Sequence, residues 1–102
     1  MTLGALLRKM RKDRRLPLRS VAAAADMDST LLSKIELGQR LPTEEQARAL
    51  AAFFSLSFEV LEAKRLAERF WLEHGDSPAA RRAVSLLREK AADYSARKRS
   101  SL

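Results

Sequence analysis

The stretch Leu18-Arg19-Ser20-Val21-Ala22-Ala23-Ala24-Ala25-Asp26-Met27-Asp28-Ser29-Thr30-Leu31-Leu32-Ser33-Lys34-Ile35-Glu36 decides the fold, and the rest of the chain is placed around it. Val21, Ala22 and Ala25 can share the inward face of one short helix, and Leu32 and Ile35 that of a second. Asp28 stands where a side-chain oxygen can cap the second helix. About three residues join the two, and small Ala22 sits where they approach closely. Met27 is apolar and flexible enough to fill the angle at the turn. The second helix turns Ser29, Thr30, Ser33 and Lys34 outward, all short or flexible side chains with hydrogen-bonding groups.

Such a pair meets the requirements of a helix-turn-helix, in which one helix lies across the phosphate backbone and the next enters the major groove. A second stretch is more specific: Leu32-Ser33-Lys34-Ile35-Glu36-Leu37-Gly38-Gln39-Arg40-Leu41-Pro42-Thr43. It resembles the end of the recognition helix in the phage-repressor and Cro superfamily (Xre-like), Ile/Leu-Ser-x-Ile-Glu-x-Gly-x-Arg-x-Pro-Ser/Thr. The resemblance extends from Leu3 to Leu61 and implies a five-helix domain that binds double-stranded DNA.

The resemblance also implies roles for individual residues. Ser29, Thr30, Ser33 and Lys34 match positions that contact base edges, and Leu31 matches one that can meet a thymine methyl. Arg19, Gln39 and Arg40 match positions near phosphates, and the amides that start the second and fourth helices face the same way. Arg11 and Glu36 match a structural pair joining the first helix to the end of the recognition helix. Two departures stand out. Asp26 occupies a turn position where glycine is usual, and Asp tolerates the left-handed conformation better than most residues. Ser29 and Thr30 are short where long bidentate side chains are common, which shifts affinity toward Lys34 and the phosphate contacts. Asp28 is compatible with nearby phosphate when its charge is used as a cap.

Outside the motif, proline and glycine mark the helix boundaries. Pro17, Pro42 and Pro78 sit where helices can begin, and Gly38 and Gly75 where they can end. Leu3, Leu6, Leu7 and Met10 form an amphipathic stripe on a first helix reaching Arg14, with Arg8, Lys9, Arg11, Lys12 and Arg15 over most of the rest. The second and third helices cover 18–25 and 29–37. Thr43-Glu44-Glu45-Gln46 has the capping-box form and opens a fourth helix with Ala47, Leu50, Ala51 and Phe54 inward. Ser57 opens a fifth that continues to His74. Ser77-Pro78 opens a sixth, striped by Ala80, Val84, Leu87, Ala91 and Tyr94. The expected organisation is a DNA-binding domain over 1–62, a helical extension over 63–96 and a basic disordered tail over 97–102.

The composition agrees with an all-α fold. Among 102 residues there are 17 Leu and 17 Ala but three Val and one Ile, a balance that excludes a β-sandwich or barrel. The net charge of +7 points to an anionic partner, nucleic acid before a membrane surface. It is unevenly placed. Residues 1–42 hold nine Lys/Arg and four Asp/Glu, residues 43–75 four and six, and residues 76–102 seven and three. The basic face of the first helix is then either a solvated surface or a partial phosphate contact through Arg8 or Arg15.

Several function classes drop out. There is no cysteine for disulfides, thiolate metal sites or nucleophilic catalysis. One histidine, His74, stands at a helix end where a cation is favoured, so a capping role is expected of it and no metal. Neither a Gly-x-Ser-x-Gly elbow nor a Gly-rich phosphate loop is present, so no enzyme and no cofactor is expected. Charges enter the N-terminal segment too early for a signal peptide, and the expected location is cytoplasmic.

The last third carries apolar residues beyond the needs of a small domain. Leu61, Leu66, Ala67, Phe70, Trp71 and Leu72 spread over more than one face of the fifth helix. The expectation is that the last two helices fold as a hairpin and build a homodimer interface with Phe70, Trp71, Val84 and Leu87, unless Phe70 and Trp71 pack onto their own core. A dimer would read two half-sites about one DNA turn (~34 Å) apart. The alternative is a restriction–modification controller or antitoxin whose C-terminal helices hold a partner protein. In every DNA-binding version, affinity for duplex DNA falls steeply as salt rises, because phosphate neutralisation releases counterions. Titration at several salt concentrations measures that slope.

Overall fold

Side-chain caps set most of the helix starts in the computed structural model, which describes residues 1–100. The helices are α1 (Leu3–Asp13), α2 (Leu18–Ala24), α3 (Ser29–Glu36), α4 (Glu44–Phe54), α5 (Phe58–His74) and α6 (Pro78–Ser100), and no strand occurs among the described residues. Thr2 Oγ1 accepts from the Ala5 N–H at 3.1 Å and Asp28 Oδ1 from the Leu31 N–H at 2.7 Å. At α4, Thr43 and Gln46 cap each other reciprocally. Ser57 and Ser77 accept from the Val60 and Ala80 amides. Only α2, which follows Pro17, begins with no side-chain cap among the first four helices. Among the described residues, no helix is long and apolar enough to cross a membrane.

The structure divides into two compact units, residues 1–69 and 70–102. In the first, the inward faces expected from the spacing meet in one core. Leu3 and Leu7 of α1, Val21 and Ala22 of α2, Leu32 and Ile35 of α3, Leu50 and Phe54 of α4 and Leu61 of α5 are all fully buried. Each large side chain among them contributes about 1.5–3 kcal/mol by leaving water. Met27 packs partly against this core at the turn between α2 and α3, as the sequence reading requires.

The first unit reaches past residue 62 because α5 holds the start of α1. Glu68 Oε2 accepts from the Leu3 N–H at 2.7 Å, and Lys64 Nζ donates to the Met1 carbonyl at 2.7 Å. A carboxylate at a helix N-terminus is electrostatically favoured. At the other end of α1, Arg14 donates to the carbonyls of Phe53 and Phe54, which close α4, and lies 5.2 Å from the Phe54 ring centroid.

The second unit consists of the end of α5, the turn at Gly75 and α6. Arg81 holds the turn through two hydrogen bonds to Asp76, both at 2.6 Å, and that contact lowers the Asp76 pKa and raises the Arg81 pKa. Ala80 is buried, whereas Val84, Leu86, Leu87 and Tyr94 are exposed. α6 continues through Arg97, Lys98 and Arg99 to Ser100, and residues 101 and 102 of the expected tail lie outside the described residues. Basic side chains in a last helical turn are favoured by the helix dipole, which is the physical reason the helix can run on.

Gly4 is the one glycine that is not punctuation. It lies within α1, and a Cβ there would collide with the Ile35 carbonyl oxygen and sit 2.8 Å from that of Glu36. The backbones of α1 and α3 therefore approach more closely than any side chain permits. Gly4→Ala is expected to destabilise the fold by about 2–3 kcal/mol despite the better helix propensity of alanine. Urea denaturation of the two proteins measures the difference.

Candidate nucleic-acid interface

The recognition helix of the proposed motif, α3, has only eight residues and depends on its neighbours for its position. Its start is fixed by Asp26 and Asp28. Asp26 adopts φ 52°, the left-handed conformation the turn demands, in a position where its short polar side chain is tolerated. The Asp28 carboxylate is engaged by the α3 amide ladder, so its charge serves the helix dipole.

Its end is fixed by Arg11 and Glu36. Arg11 Nε donates to Glu36 Oε2 at 2.8 Å and Nη2 to Oε1 at 2.9 Å, a bidentate pair. Arg11 Nη1 also donates to the Leu16 carbonyl at 3.0 Å. The two side chains are only 13% and 5% exposed. The hydrogen bond to Glu36 raises the Arg11 pKa, against a smaller opposing effect of burial. The structure brings together the pair implied by the resemblance, and the guanidinium joins α1, the loop before α2 and the last turn of α3.

With its rear face buried and both ends held, α3 leaves a polar front. Thr30 and Lys34 are exposed, and Ser29 and Ser33 are half-exposed. They form two adjacent i,i+4 rows, 29/33 and 30/34. Leu31 is turned partly into the core, which leaves only part of its surface for an apolar contact. Gly38 at φ 78° ends the helix, and exposed Gln39 and Arg40 follow it directly. Arg19 is exposed in the first turn of α2, where no side chain caps the amides.

The ion pairs separate two kinds of cation in this unit. Lys9 pairs with Asp13, Arg11 with Glu36, Arg48 with Glu44 and Arg65 with Glu62. By contrast, Arg8, Lys12, Arg15, Arg19, Lys34 and Arg40 make no side-chain ion pair or hydrogen bond among the described residues. All six precede Thr43; Arg8 and Lys12 stand at i, i+4 on α1, and Arg15 lies just past its end.

One expectation changes. The start of α4 is not an open cluster of amides: its capping box engages Gln46, and Glu44 and Glu45 place two carboxylates in the first turn. Those charges repel phosphate, which leaves the uncapped α2 start as the better of the two. In the second unit Trp71, Val84 and Leu87 are exposed, while Phe70 is half-buried with its ring 4.7 Å from that of His74. His74 also lies 3.7 Å from Glu73.

The sequence reading missed Gly4, Arg14, Lys64 and Glu68. Arg14 merges with its basic neighbours along the chain, and nothing in local spacing links Glu68 to an amide 65 residues away. The pair it did find has the larger energetic consequence. Glu36→Ala leaves the Arg11 guanidinium buried without its carboxylate and is expected to cost about 3 kcal/mol, with Arg11→Ala similar. In a double-mutant cycle by thermal unfolding, the combined variant loses much less than the two single losses added together.

A protein-family model described as a helix-turn-helix domain matches residues 2–63. No curated protein and no solved structure matches the chain. The family match covers more than half of the sequence and contains the α2–turn–α3 unit, its caps and the Arg11–Glu36 pair. This chain belongs to the helix-turn-helix domain family of DNA-binding domains.

Proposed function

We propose that the chain is a sequence-specific regulator of transcription that binds double-stranded DNA, similar to the phage-repressor and Cro (Xre-like) proteins. It acts as a homodimeric repressor that reads two half-sites. The observation that carries this reading is the outward face of α3: the contacts that position the helix come from behind or from its ends, and Ser29, Thr30, Ser33 and Lys34 make no side-chain hydrogen bond or ion pair among the described residues. Lys34 and Thr30 supply the most accessible base-reading groups, with Ser29 and Ser33 beside them. Arg19, Gln39 and Arg40, with the uncapped start of α2, supply the phosphate contacts. The six unpaired cations of residues 1–42 favour the same partner.

Two copies follow from the size of the reading surface. One eight-residue helix contacts too few base pairs to select a site, whereas a two-fold pair doubles the information and fixes the spacing. Exposed Trp71, Val84 and Leu87 and half-buried Phe70 are the residues assigned to pairing. Occupation of an operator by such a pair blocks other proteins from the same DNA, which is the basis of the repressor reading.

Selection of bound sites from random duplexes tests this directly. The expected product is a pair of inverted half-sites with centres about one turn (~34 Å) apart; recovery of unenriched sequence would overturn the reading. On the selected site, Lys34→Ala is expected to cost about 1–3 kcal/mol and to narrow the gap to random DNA. Arg40→Ala is expected to weaken binding to all sequences alike and to lower the salt slope by about 1.

A further inference from the structure

The apolar stripe of α6 is not covered within its own unit. Val84 is 42% exposed, Leu87 60% and Tyr94 66%. Ala80, Val84, Leu87, Ala91 and Tyr94 follow one another at steps of four, three, four and three residues. That is the ~3.5-residue period of a coiled-coil seam. Ala80 is already buried near the turn, so the free seam is Val84 to Tyr94.

We propose that α6 pairs with α6 of a second copy as a parallel coiled coil along this seam. In the heptad, Val84 falls at a and Leu87 at the following d, the combination that favours two parallel strands. The charges at the seam edges choose the direction. Those edge positions, e and g, hold Arg81, Ala83, Arg88, Lys90, Ser95 and Arg97, with no acidic residue among them. Parallel pairing sets Ala83 against Arg88 and Lys90 against Ser95, so no like charges meet. Antiparallel pairing that places Val84 on Tyr94 sets Arg88 against Arg88 and Lys90 against Lys90 at the centre, which is repulsive. Glu89 and Asp93 fall at f and c, off the seam, and cannot relieve that repulsion.

Parallel pairing brings both Pro78 ends together, and in each chain the DNA-binding unit precedes Pro78. The symmetry axis of the coil then coincides with that of a two-half-site operator. This inference rests on the two-copy part of the proposed function but on none of its base contacts. The seam spans only about two heptads, so pairing is weak in free solution and is completed on DNA, where neighbouring half-sites raise the effective concentration.

The absence of native cysteine allows a direct test on the full chain without DNA. Leu87→Cys is oxidised mildly at protein concentrations up to roughly 1 mM, the range an intramolecular tether provides. A disulfide-linked dimer is expected at least tenfold in excess of that from Ser85→Cys, which lies on the outer face of the heptad. In an equal mixture of Val84→Cys and Tyr94→Cys chains, the expected dimers join like to like. Equal yields from Leu87→Cys and Ser85→Cys would overturn the seam, including the case in which α6 instead awaits an acidic helix of another protein. A majority of Val84–Tyr94 mixed dimers would overturn the parallel direction. DNA-site selection by the unmodified chain reports separately on the proposed function.

Discussion

Arg11 reaches from α1 to the last residue of α3, and the orientation of α3 depends on that contact. Taking both charges largely out of water is costly, and their attraction with the extra bond to Leu16 offsets much of that cost. Its main consequence is geometric. A bidentate guanidinium–carboxylate pair accepts one relative orientation, so the axis of α3 is set against α1 rather than merely packed near it. Gly4 makes the contact possible by letting the two backbones approach. Glu68 and Lys64 then hold α1 itself, so the constraint passes from α5 through α1 to α3.

The same unit sorts its charges by work. Some cations are engaged within the fold: Arg11 and Arg65 in largely buried ion pairs, and Arg14 on the carbonyls that close α4. Cations along residues 8–40 that lack such partners contribute little to stability and leave a positive field in water, the property a polyanion responds to. The first turn of α4, by contrast, carries the carboxylates Glu44 and Glu45, the first of them paired with Arg48. Net charge alone describes neither distribution.

The second unit has a different physical character. Its first turns are secured by Asp76 and Arg81 and by the burial of Ala80, but its longer apolar side chains lack cover within the unit. The residues of α6 are mostly strong helix formers, so the helix itself needs no cover, whereas its apolar side chains do. Apolar side chains at a coiled-coil period, with one sign of charge at the edges, favour a specific arrangement of two helices over a general affinity for apolar surface.

Much of the fold was legible along the chain because its signals are local. Prolines, glycines and hydroxyl or carboxylate caps act within one turn, and the apolar stripes need only a window of a few residues. The helix-turn-helix, its caps and the Arg11–Glu36 pair were accessible in this way, the pair through family resemblance. The close approach at Gly4, the clamp of Lys64 and Glu68 on the N-terminus and the anchoring of α4 by Arg14 were not. Each joins residues far apart in sequence, and a single glycine or basic residue gives no sign of what will lie opposite. Which cations stay free was likewise decided only in three dimensions, since pairing depends on where a carboxylate arrives. Sequence by itself determined the helices and their order, because capping and periodicity are short-range. Tertiary structure decided how firmly α3 is held and which charges it leaves exposed, because those depend on contacts between distant segments.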